Sequence, residues 1–96
     1  MALKSLSGKI ALVTGAGQNI GRGIALSLSA SGAIIVVNGR DNEGLVSETV
    51  AEIKKNGGNA VGYMADISDP ISVKTLIDKI KSDLGGLDIL ICNAGL

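Results

Sequence analysis

An α/β fold built on one parallel sheet is the class this chain predicts, and three observations carry it. Four short apolar runs alternate with three amphipathic ones, as strands alternate with helices in right-handed βαβ units. Two of the apolar runs, Ile34-Ile35-Val36-Val37 and Ile89-Leu90-Ile91, are continuous, which suits strands covered on both faces. A glycine-rich stretch joins the first apolar run to the first amphipathic one.

The first strand is read at Ile10–Thr14. The turn Thr14-Gly15-Ala16-Gly17-Gln18-Asn19-Ile20-Gly21-Arg22-Gly23 follows it and leads into a helix from about Ile20 to Ser31. That helix stops at Gly32, a residue suited to the left-handed position after a helix end. A second strand is placed at Ala33–Asn38. The second helix, about Glu43 to Asn56, puts Val46, Val50 and Ile53 on one face and ends at Gly57-Gly58. Ala60–Ala65 reads as the third strand. Asp69-Pro70, an N-cap followed by proline, opens a third helix carrying Val73, Leu76, Ile77, Ile80 and Leu84 inward. Leu87–Asn93 is the fourth strand. The expected strand order is 3-2-1-4, a Rossmann-type sheet with three helices and a truncated form of the doubly wound fold. A nucleotide belongs at the reversal between strands one and four.

The glycine-rich turn supplies the first chemical reading. Where a strand turns into a helix N-terminus, backbone N–H groups point outward and the helix dipole favours negative charge. Glycine lets the backbone approach a pyrophosphate closely. Nucleotide binding is therefore the leading function.

Composition narrows the partners. Ninety-six residues suffice for one small domain and not for two. His, Phe and Trp are absent and Tyr63 is the single aromatic, so nothing stacks single-stranded bases. The formal net charge is zero with Lys and Arg scattered, which favours neither nucleic acid nor a membrane surface. No apolar run reaches signal-peptide or membrane-spanning length. Cys92 is alone, which fits a reducing, cytoplasmic setting, and is read as a small buried hydrophobe. Without His there is neither a usual metal site nor a Cys–His nucleophile. Arg22 and Lys54, Lys55, Lys74, Lys79 and Lys81 read as solvated helix faces, with Glu48 and Glu52 pairing locally.

Several motifs agree in order along the chain. Leu6-Ser7-Gly8-Lys9-Ile10-Ala11-Leu12-Val13-Thr14-Gly15 with Ile20-Gly21, then Asp66-Ile67, then Asn93-Ala94-Gly95, resemble the short-chain dehydrogenase/reductase family over essentially the whole length. The resemblance has two departures. Asn19 stands where the family carries glycine, at a position where an ordinary residue in the left-handed region costs roughly 1–2 kcal/mol. Asn is the most tolerant substitute there. It is either a tolerated turn residue or a further hydrogen-bonding group toward phosphate or ribose. Cys92 replaces the first Asn of the family's Asn-Asn-Ala-Gly, while Asn93 keeps the second.

The resemblance implies a pocket in which Gly15, Gly17, Gln18, Asn19, Ile20 and Gly21 hold the pyrophosphate. Asp66 would meet the adenine amino group and the Ile67 N–H a ring nitrogen. Asn93, Ala94 and Gly95 would run beneath the ribose, with Asn93 equally able to brace the sheet. Cofactor choice turns on the end of strand two. An acid there binds the ribose 2′-hydroxyl of NAD, whereas arginine binds the 2′-phosphate of NADP. Here Gly39-Arg40 leaves room for a phosphate and offers a bidentate guanidinium, so NADP(H) is preferred. NAD(H) stays possible if Asp41 turns to the ribose. Alternatively Arg40 is a solvated loop residue and Asp41 caps the second helix.

Members of the family transfer hydride between the nicotinamide and a small-molecule carbonyl or alcohol, using a Tyr-x-x-x-Lys pair with a Ser and an Asn. Tyr63 is followed four residues on by Ile67, so it is not that tyrosine. The family's pair would lie beyond Leu96, and the chain is expected to contain no catalytic residue and no metal ligand. It reads as the N-terminal cofactor-binding part of a single domain in a longer, homo-oligomeric reductase. The alternatives are a non-catalytic nucleotide-binding or regulatory module and an inactive fragment. Strands one and four are expected to leave apolar side chains partly uncovered in the isolated chain, with aggregation as the result.

Overall fold

The computed structural model describes residues 5–17 and 19–93. Among these, the elements in chain order are β1 (Ile10–Val13), α1 (Asn19–Ala30), β2 (Ile34–Gly39), α2 (Glu43–Lys55), β3 (Asn59–Met64), α3 (Pro70–Leu84) and β4 (Ile89–Ile91). All strand pairs are parallel and the order is β3-β2-β1-β4, with the expected reversal beside β1.

The continuous apolar strands are explained by a helix on each face. Ala11, Val13, Ile35 and Val37 pack with Ala25 of α1 and Val46 and Ile53 of α2. On the other face Ile10, Leu12 and Val36 pack with Leu76 and Ile80 of α3. Each side chain of Leu or Ile size so buried contributes about 1.5–3 kcal/mol. Every residue of β1 is buried, so the expectation that β1 would be partly uncovered does not hold: α3 closes its second face. The expectation holds for β4. Leu90 points to the α3 side beyond that helix's reach and is 54 % exposed, while Ile89 and Ile91 pack on the α1–α2 side.

Helix ends follow local chemistry. Gly32 and Gly85 adopt positive φ after α1 and α3. The side chain of Asp69 accepts from Ile71 N at 3.1 Å ahead of Pro70. The cap of α2 is Asn42, whose Oδ1 accepts from Leu45 N at 3.1 Å, so Asp41 does not hold that role.

Two further expectations are corrected. Arg22 is not a solvated face. Its guanidinium donates to Glu52 Oε1 across the α1–α2 seam and lies 4.0 Å from Glu48 Oε2, so these glutamates pair between helices and not within one. Cys92 is exposed and not buried, because it follows the last ladder residue of β4, which among the described residues pairs with β1 alone.

Candidate functional site

The C-terminal end of β1 opens into the glycine turn. Gly15 has φ +63°, and Asn19, the first residue of α1, has φ +56°. The left-handed conformation is thus held by asparagine where the family carries glycine, which its tolerance of this region allows. A Cβ on Gly21 would stand 2.2 Å from the Gly15 carbonyl oxygen and 2.6 Å from Asn93 Nδ2. Only glycine therefore lets α1 start this close to β1. Gly17 is buried against Leu45 of α2, and its carbonyl faces the Thr49 hydroxyl at 3.3 Å. Ile20 is 73 % exposed at the head of α1, and no acidic side chain occupies the first turn of that helix.

Thr14 joins the turn to the fourth strand. Its N–H donates to the Ile91 carbonyl at 3.0 Å, its hydroxyl donates to the same oxygen at 3.3 Å, and Asn93 N donates to that hydroxyl at 2.9 Å. Asn93 is thereby braced against β1, as its structural reading expects. Gln18, Ala94 and Gly95 lie outside the described residues.

The second cluster stands at the ends of β2 and β3. Arg40 Nε lies 3.5 Å from Asp41 Oδ1 and 4.0 Å from Asp66 Oδ1, with its side chain 63 % exposed. Asp66 Oδ1 also accepts from the Ser68 hydroxyl at 2.6 Å and from Ser68 N at 2.9 Å. The Ser68 hydroxyl foremost, then its N–H, hold the Asp66 carboxyl below the ordinary carboxylate value; slight burial opposes this and the Arg40 charge adds a smaller pull. Asp66 N donates to Ser72 Oγ at 3.1 Å, which ties this loop and the half-buried Ile67 to the start of α3. Gly39 serves packing. A Cβ there would come 2.4 Å from Val46 Cγ2, so the space beside its Cα is filled by α2 and is not left open for a phosphate.

Asn38 links the clusters, since its backbone carbonyl accepts from Ala16 N at 3.1 Å. Sequence reasoning missed Asn38, Thr49 and the clasp made by Thr14. Thr14 and Asn38 read only as strand ends and Thr49 only as a position within the second helix, and nothing local shows that the fold buries a polar side chain there. A groove of about 880 Å³ runs along β3 between α2 and α3, lined by Val46, Val50, Tyr63 and Leu76, and includes none of the expected cofactor residues. Tyr63 there donates to Asp83 Oδ2 at 2.6 Å. Among the described residues no helix is long and apolar enough to cross a membrane, and no three His, Cys, Asp or Glu side chains gather as metal ligands.

A parallel sheet wound on both faces, with a glycine turn at its order reversal, defines a Rossmann-type α/β protein. The chain belongs to the short chain dehydrogenase family, whose family model matches residues 9–96. It is 45% identical over 91 residues to a versicolorin reductase of Emericella nidulans, covering 95% of this chain and 34% of that protein. The structure of a hydroxysteroid dehydrogenase from Escherichia coli superposes with a TM-score of 0.90 at 39% identity, covering 97% of this chain and 39% of that one. A short chain dehydrogenase from Burkholderia cenocepacia, solved in complex with NADP, gives a TM-score of 0.89 at 39% identity, with 96% and 38% covered. The chain thus spans about a third of the length of the curated relatives it matches.

Proposed function

We propose that this chain is the cofactor-binding part of a single-domain NADP(H)-dependent short-chain oxidoreductase acting on a carbonyl or alcohol. The observation that carries the cofactor choice is the pairing of Arg40 with Asp66 at the strand ends, with Val46 filling the place of an acid at Gly39. The NADP complex of the Burkholderia relative supports it.

The residues present fit a dinucleotide. The turn is bare of side chains at Gly15 and Gly21, and the N-terminus of α1 carries no acid to repel phosphate. In this reading Gly15, Gly17, Gln18, Asn19, Ile20 and Gly21 hold the pyrophosphate, and Arg40 holds the 2′-phosphate. Asp66 and Ile67 meet the adenine, and Asn93, Ala94 and Gly95 support the ribose. The nicotinamide supplies hydride transfer; the residues of this chain bind and orient it. The catalytic half belongs to a longer protein, and its sequence tests the reading: absence of Tyr-x-x-x-Lys there would favour a non-catalytic nucleotide-binding module.

Replacing Arg40 with Ala in the complete protein should weaken NADP(H) about tenfold or more, the loss of a charge-assisted phosphate contact. NAD(H) should change little. Equal losses for both cofactors would remove Arg40 from this role. The rival reading rests on the Asp41 carboxylate, 3.5 Å from Arg40; it expects Asp41→Ala to weaken NAD(H) selectively.

A further inference from the structure

Asn38 is 2 % exposed, and its amide nitrogen sits within hydrogen-bond distance of three backbone carbonyls. These are Tyr63 O at 3.2 Å, Ala65 O at 3.4 Å and Gly39 O at 3.4 Å. Three acceptors around one atom identify it as the NH2 and not the oxygen of the amide. The place is the fork where β2 and β3 part. Their ladder ends at Gly39 opposite Met64, and one more backbone bond, Ala65 N to Gly39 O at 3.0 Å, closes it. Beyond it the chains separate toward Arg40 on one side and Asp66 on the other. A buried amide keeps its place only when its protons are taken up, so Asn38 draws both strand ends onto itself. Its backbone carbonyl meanwhile holds Ala16 N of the glycine turn.

We propose that the Asn38 side chain is a positioning residue for the adenosine end of the cofactor. It sets the Arg40 loop and the Asp66-Ile67 loop at the spacing that lets both reach one nucleotide. This rests on the nucleotide-binding reading given above. Because the side chain acts at the fork and the backbone carbonyl at the turn, a substitution removes the first link and leaves the second. The phosphate cradle and the adenosine end therefore come apart experimentally.

The test uses the complete protein with Asn38→Ala, and with Asn38→Ser, whose hydroxyl can still donate one bond. Two probes are titrated by calorimetry: 2′,5′-ADP for the adenosine end and inorganic pyrophosphate for the turn. Asn38→Ala should lose about tenfold in 2′,5′-ADP affinity and less than about twofold in pyrophosphate affinity, with Asn38→Ser between it and the unaltered protein. Amide exchange at Ala65 should quicken while Ala16 keeps its protection. Should Asn38→Ala not fold, the same split in Asn38→Ser decides. Wild-type affinity for both probes in the variants, or equal loss of both, overturns the assignment and leaves Asn38 a structural residue. An unaltered protein that binds neither probe removes the nucleotide reading itself, and the assignment with it.

Discussion

Gly21 sits where any Cβ would overlap the Gly15 carbonyl, whereas Arg40 reaches toward Asp66 across open surface. The phosphate end of the candidate site is shaped by exclusion: bare backbone, buried glycines and the Thr14–Asn93 clasp leave one way to assemble it. The end proposed to meet the adenosine is shaped by charge and by two loops that share a buried anchor. Steric exclusion acts at contact and is indifferent to salt, while exposed charges are screened within about 10 Å at ordinary ionic strength. Under the proposed function, the chemistry common to every phosphate-bearing cofactor would thus be built rigidly, and the part that would tell one cofactor from another would rest on adjustable side chains.

The sharpest way to break this contrast is Gly21→Ala. With backbone at 2.2 Å, α1 must shift away from β1, and unfolding free energy should fall by about 3 kcal/mol or more in urea titrations. An unchanged midpoint would mean that the turn gives way easily, and the distinction between the two ends would be lost. Thr14→Val keeps the shape but leaves Asn93 N without its acceptor, for a loss of about 1–3 kcal/mol by the same measurement. A value near zero would reduce the clasp to a coincidence of packing.

The smallest expected effect belongs to the exposed end. Ser68→Ala removes the hydroxyl that most depresses the Asp66 carboxyl, so its titration, followed by carboxyl NMR, should rise toward the ordinary carboxylate range. The sign follows from linkage. A carboxyl whose pKa is lower folded than unfolded adds stability above its unfolded value, and this is lost as pH falls through the folded value. The variant should therefore lose less stability on acidification than the unaltered protein. A titration that stays put would transfer control of Asp66 to the Ser68 N–H, which the variant keeps, with Arg40 a smaller contributor.

What could be read from the residues divides along the same line. The strands and helices, the glycine turn and the cap at Asp69-Pro70 follow from periodicity and backbone chemistry that act over a few residues, and the sheet order from the doubly wound rule for such alternating elements. Asn19 at positive φ belongs with them, since only its own side chain decides whether it tolerates that region. Features that depend on what another element presents were not legible. Arg22 meets Glu52 only because α1 lies beside α2, and Asn38 is buried only because β3 ends where it does. Asp41 and Asn42 are both good caps by type, and one residue of offset in the chain direction chose between them. Cys92 resembled a core residue by composition, but burial requires a neighbour beyond β4.

The pairing of β1 with β4 also has a meaning in time. During synthesis β1, β2 and β3 are all complete before Ile89 is made, so one edge of β1 stays open until the chain has grown past residue 89. The β4 partner lies about three times farther along the chain than the β2 partner. Loop-closure entropy grows only logarithmically, so that distance adds about 1 kcal/mol to the cost of pairing. Delay, far more than entropy, separates the two events. The oxygen of Thr14 that receives Asn93 is in place long before its donor leaves the ribosome.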